Sequence, residues 1–246
     1  MMRGSFFTFA STVLGAFAAL GAERPAAAAV AASVWTPPYF PILMRGEYDY
    51  DAMMRALPTD PPHKQVFLSN PSMLTAPGVA GVFQKMTLAK TAYEFALERG
   101  ERLTLALVGV LIAEPVVFAL NDAMWRKYKI AATFSLPDRT GQIGTRNFTH
   151  TPWSDLNLDA SPNSPTGIYH DFTSAALLKR GARFLVCHNA LAGVSAKFAL
   201  RSGSSHPAVL KDWAANLLPG FTAVPSGAQA IQLAQERGYA LYPVTD

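Results

Sequence analysis

The chain has 246 residues, 50% hydrophobic and only 15% charged, which excludes a disordered, low-hydrophobicity chain and fits one large domain with appendages. Lys and Arg (21) exceed Asp and Glu (17) by 4; with so few charges the basic balance reflects sparse acids, so nucleic-acid binding is not implied. The single cysteine, Cys187, excludes an intramolecular disulfide and any cysteine-rich zinc or iron–sulfur site.

Residues 6–22 are an apolar run behind Arg3, and an alanine-rich stretch at 26–32 offers several small-x-small cleavage options. Residues 1–32 therefore read as a secretory signal peptide, and the periplasm is the expected location. One arginine in the leader does not support the twin-arginine route. The alternative is an uncleaved anchor, and only in that form would the protein touch a membrane. Residues 33–63 carry Trp35, Pro37, Pro38, Tyr39, Phe40, Pro41, Pro58, Pro61 and Pro62, a composition that suits an N-terminal arm laid over a surface, with at most one helical turn at 53–57.

From residue 64 onward short apolar strands alternate with amphipathic helices. The pattern predicts strands at 65–69, 102–110, 183–187, 221–224 and 239–242, and helices at 79–97, 115–128, 191–200, 207–217 and 228–236, with a short one from 173. Pro115 fits a first helical position, and Pro243 stops the last strand or marks it as a sheet edge. The stretch 132–169 is dense in Gly, Pro, Asn, Asp, Ser and Thr without a sustained period; it reads as a long insertion, of the kind used as a lid or interface.

Three junctions repeat one pattern: Arg99-Gly100, Arg180-Gly181 and Arg237-Gly238 each close a helix just before a strand. Glycine supplies the left-handed C′ residue and arginine complements the negative helix end. Helix, glycine, apolar strand, three times over, is the pattern of an α/β chain whose parallel sheet is covered on both faces.

In such a sheet ligands bind beyond the carboxyl ends of the strands. That rule selects Asn70 and Ser72, Glu114 and Pro115, then Cys187, His188 and Asn189, and finally Pro225, Ser226 and Gly227 as candidate site residues. Cys187 ends a strand just ahead of a helix, with Asn189 as the expected N-cap. Free amides and the positive helix end favour a thiolate there, and a protonated His188 would add to this. The competing reading makes Cys187 a buried small hydrophobe closing its strand. Glu114 reads either as an acid–base group or as a first-turn acid favoured by the dipole. His170 beside Asp171 reads as a surface pair or a His–carboxylate couple, Asn121 and Asp122 as mid-helix polar residues, and Trp125 and Trp213 as core or interface. No second histidine stands at ligand spacing from His188, so no metal is expected, and no cofactor motif is present. The phosphate-loop, dinucleotide, C-x-x-C, H-E-x-x-H and G-x-S-x-G patterns are all missing. Asn147-Phe148-Thr149 matches the three-residue glycosylation sequon.

The stretch 181–191 (GARFLVCHNAL), followed by 217–227 (LLPGFTAVPSG) and 233–240 (LAQERGYA), resembles the carboxyl half of the DsrE/DsrF-like sulfur-relay family; 120–125 (LNDAMW) fits the helix after that family's second strand. The resemblance covers residues 64–242. It implies a three-layer α/β/α fold with a five-stranded parallel sheet, a homo- or hetero-oligomer, with a homo-oligomer the expectation here, and a cysteine that in some members carries sulfur as a persulfide, a position matched by Cys187. The partner would be a sulfur donor, or a small-molecule ligand if the module only binds.

Overall fold

Leu105–Leu111 is an unbroken apolar run, and only a strand covered on both faces can bury such a run without wasting alternate side chains. It forms β4, the middle strand of a sheet ordered β6-β5-β4-β1-β7, with β1 at His63–Leu68, β5 at Arg183–Cys187, β6 at Phe221–Val224 and β7 at Ala240–Pro243. All four pairings are parallel. In this computed structural model the described residues are 43–44, 46–69, 73–96 and 103–244. The fold is α/β, as the alternation predicts, and β7 with Pro243 lies at one edge.

Successive side chains feed opposite layers. Phe67, Leu107, Phe184 and Phe221 join one core, where they meet α2 (Gly81–Thr91), α3 (Asp122–Tyr128), α5 (Ser174–Lys179), α6 (His188–Ser202) and α7 (His206–Ala215). Val66, Val108, Val110, Leu185 and Val224 join the other, under α1 (Tyr50–Arg55) and α8 (Gly227–Glu236). The proline-rich stretch thus holds more structure than one turn. Asp49 caps α1 by accepting from Ala52 N at 2.7 Å, and Met53, Ala56 and Leu57 are buried.

Several helix bounds differ from the periodic reading. Val79 belongs to a small hairpin, β2 (Leu74–Ala76) with β3 (Val79–Ala80), and α2 passes into a π-helical turn, Ala92–Ala96. The helix expected at 115–128 is two pieces, a 3₁₀ segment Glu114–Ala119 and α3, broken by extended backbone at Leu120 and Asn121. Asn121 and Asp122 are therefore not mid-helix. Asn121 is the N-cap and accepts from Met124 N at 3.1 Å; Asp122 opens α3 and takes Asn147 N at 2.8 Å. At the far ends the arginine–glycine stops hold: Gly181 and Gly238 adopt φ of 86° and 81°. The junction at 97–100 lies outside the described residues.

A short helix, α4 (Ile130–Thr133), precedes the insertion, which is largely irregular and pinned from within. Asp171 is buried and accepts Trp153 N (2.7 Å) and Thr173 N (3.0 Å), while His170 is exposed and bonds Pro162 O; the two do not pair. Asn147 is 1% exposed with its amide nitrogen donating to Phe118 O and Leu120 O, so the folded chain offers no glycosylation acceptor there.

His150 supplies a pH dependence. Its Nδ1 lies 2.9 Å from Ser174 Oγ, and burial pushes its pKa below the ordinary 6.5 against the opposing pull of Asp122. The folded chain resists a proton that the unfolded chain accepts. Stability from this group is full above pH 6.5 and falls as the pH drops below it, until the lowered folded value is passed. Thermal unfolding at about pH 7.5 and about pH 5 is expected to show a larger acid loss in the wild type than in His150→Gln; equal losses would clear His150 of the effect.

Candidate functional site

The chain leaves β5 into α6 on one face and leaves the adjacent β6 into α8 on the other. Neighbouring strands whose exits diverge open a crevice at their carboxyl ends, the usual ligand position in open parallel sheets. Cys187 closes β5 at that position, in register with Val224 and 7% exposed. Its backbone is extended (φ −65°, ψ 113°) and its Sγ accepts from Ala190 N at 3.4 Å, so the thiol itself caps the 15-residue α6. This corrects the expectation that Asn189 is the cap. The helix begins one residue after the cysteine, and His188 and Asn189 are its first two members.

The first residue of α8 is pressed against the same place. A Cβ on Gly227 would run into Ile112 Cγ2 and stand 3.4 Å from Cys187 Cβ and 3.5 Å from Val110 Cγ1. Only glycine lets that helix start so close to the ends of β4 and β5. The start of α8 therefore packs on the Cys187 Cβ, beside the sulfur that caps α6.

The end of β4 is held from the other side by Ser69. Its amide donates to Val110 O (3.0 Å), and its buried hydroxyl accepts Ile112 N at 2.9 Å, extending the β1–β4 ladder beyond the strands. The next residue, Ala113, adopts φ 50°, ψ −143°, a region nearly reserved for glycine. Strain of this kind persists only where neighbours over-determine the backbone, as Ser69 before it and the 3₁₀ turn after it do here.

Of the sequence-selected residues, Cys187, His188, Asn189, Pro225, Ser226 and Gly227 come together at the crevice. Cys187 and His188 are 7% and 6% exposed. Asn189 Oδ1 is buried and accepts no hydrogen bond. Ser226 precedes α8 without a side-chain cap bond. Glu114 faces α6, where Lys197 Nζ sits 2.8 Å from Oε1 and holds the carboxyl below its ordinary value despite partial burial. Its charge is engaged by that pair. Asn70 and Ser72 lie outside the described residues. Trp125 and Trp213 are core.

The local pattern missed Ser69, Ile112 and Ala113. A serine closing an apolar strand was the one visible signal; nothing marks an alanine for a glycine conformation. Among the described residues no group of three His, Cys, Asp or Glu is placed to hold a metal, and no described helix is long and apolar enough to cross a membrane. In comparisons with known proteins, no family model, curated protein or solved structure matches the chain.

Proposed function

We propose that this is an exported sulfur-handling protein in which Cys187 accepts and passes on a sulfane sulfur. One observation carries the reading: the lone thiol caps a long helix at the strand crossover where parallel sheets bind ligands. The Ala190 amide at the start of α6 donates to Sγ at 3.4 Å, and the thiolate is the attacking form in such a transfer. The step needs no added oxidant. Cys187 S⁻ attacks the outer sulfur of a donor persulfide R–S–SH; the new S–S bond forms on Cys187, the old one breaks, and R–S⁻ leaves. A second thiolate then removes the sulfur in the same way and restores Cys187.

The resemblance of residues 181–240 to DsrE/DsrF-like chains supports the same reading, as do the five parallel strands with helices on both faces, which suit the three-layer arrangement of that family. The leader-like run at 6–22 supports export to the periplasm, and a homo-oligomer follows from the family resemblance. A second reading, a non-catalytic ligand-binding or assembly module, is favoured by the 7% exposure of Cys187 and by the unsatisfied Asn189 Oδ1.

Incubation with glutathione persulfide, followed by intact-protein mass spectrometry, separates them. The wild type is expected to gain one sulfur atom and Cys187→Ser none. A wild-type protein that gains no sulfur, in the folded state and with excess donor, overturns the carrier reading and leaves the binding module.

A further inference from the structure

Away from the crevice, the C-terminal ends of α3 and α6 enclose a cavity of about 330 Å³ lined by Lys127, Tyr128, Lys129, Thr133, Phe198, Arg201 and Ser202. Three of these are cations. The carboxylate facing them, Asp212, is already spent: its Oδ2 takes Lys127 Nζ at 2.7 Å and the Tyr128 hydroxyl at 2.8 Å, and its Oδ1 takes Asn216 Nδ2 at 3.4 Å. Among the described residues neither Lys129 nor Arg201 has a carboxylate partner. Each helix end contributes roughly half a negative charge. Three cations against one carboxylate and two helix ends still leave the cleft about one charge positive.

Helix dipoles account for Lys127 and Arg201, which stand in the last turns of their helices. Lys129, the C-cap of α3, also complements that helix end, but the dipole does not require a lysine at its backbone conformation. That residue sits at φ 50°, ψ 45°, between α3 and α4, where glycine or asparagine is the low-strain choice. A long cation is held at a left-handed position on the lip of a positive cleft.

We infer that this cleft binds a small molecule through a phosphate group. Its volume falls in the range of small-molecule sites. The Arg201 fork and the two lysines suit an anion with several acceptor oxygens, the Thr133 hydroxyl can donate further while that of Ser202 is given to Ala199 O (3.4 Å), and Phe198 with the Tyr128 ring offers an apolar wall to whatever the phosphate carries.

The test is calorimetric titration of the full chain with inorganic phosphate and with phenyl phosphate, ionic strength matched with chloride. Saturable binding is expected, weakened about tenfold or more in Arg201→Gln and in Lys129→Gly. The glycine variant relieves the left-handed strain, so a loss of binding in a protein that melts no earlier than the wild type reports the charge and not the fold. Tighter binding of phenyl phosphate supports a phosphate ester as the occupant, and equal binding supports free phosphate. Absence of saturable binding by either anion, or unchanged affinity in both variants, overturns the site.

Discussion

Replacing Glu94 by glutamine is expected to destabilise the chain by about 3–5 kcal/mol, the usual consequence of stripping the counter-ion from buried charge. Glu94 lies in the π-helical turn after α2, and two cations converge on it: Lys90 Nζ at 3.1 Å and Arg180 Nη2 at 2.8 Å, with side chains only 7% and 1% exposed. Lys90 also donates to Leu105 O (3.2 Å) and Arg180 to Thr91 Oγ1 (3.1 Å), while the Arg180 guanidinium stacks 4.8 Å from the Tyr169 ring. Arg180 Nε and Nη1 are buried without acceptors. Among the described residues one carboxylate therefore offsets two dry cations, and a neutral amide of the same shape leaves both uncompensated. Lys90→Met provides the contrast. It leaves a one-to-one ion pair and is expected to cost less than about 1.5 kcal/mol. Denaturant unfolding of the two variants checks the ordering; a Glu94→Gln variant as stable as Lys90→Met would mean that water or another acid reaches the cluster.

The same cluster shows what a one-dimensional pattern can and cannot carry. Lys90 and Glu94 fall on the polar side of the α2 periodicity, and Arg180 stands where an arginine before a terminal glycine complements a helix dipole. Each local reading is sound chemistry, yet the three residues meet because β5 brings the end of α5 beside α2, a long-range fact invisible to spacing. Strands were legible where an apolar run follows a glycine within two residues: β5 and β6 match their expected limits. The start of α6 was not, because its cap is a sulfur and the nearby asparagine has the commoner capping chemistry. The break before α3 was hidden for a different reason. Val116, Val117, Leu120, Met124 and Tyr128 keep helical spacing across a kink that Asn121 and the insertion impose together. At the site, the rule that ligands gather beyond strand ends led to Cys187 and Gly227, whereas the strained Ala113 has no signature in residue type.

Asn147→Ala is expected to cost about 3 kcal/mol, close to the penalty of leaving two or three buried polar groups unmet. The Asn147 amide donates to Phe118 O (2.9 Å) and Leu120 O (2.7 Å), the carbonyls freed where the 3₁₀ segment ends, and its Oδ1 accepts Thr149 Oγ1 at 2.6 Å. Alanine leaves all three without partners in a place where Asn147 is 1% exposed. Asn147→Asp should be worse still, since a carboxylate would face two carbonyl oxygens. Hydrogen exchange localises the damage: faster exchange is expected through 138–171 and in the 3₁₀ segment, with β4 and β5 exchanging as before under native conditions. Because that segment starts directly after Ala113, loosening it also frees the strained rim beside the crevice. Thiol labelling of Cys187 should then run faster in Asn147→Ala than in the wild type, and an unchanged rate would show that the insertion and the cysteine are held independently.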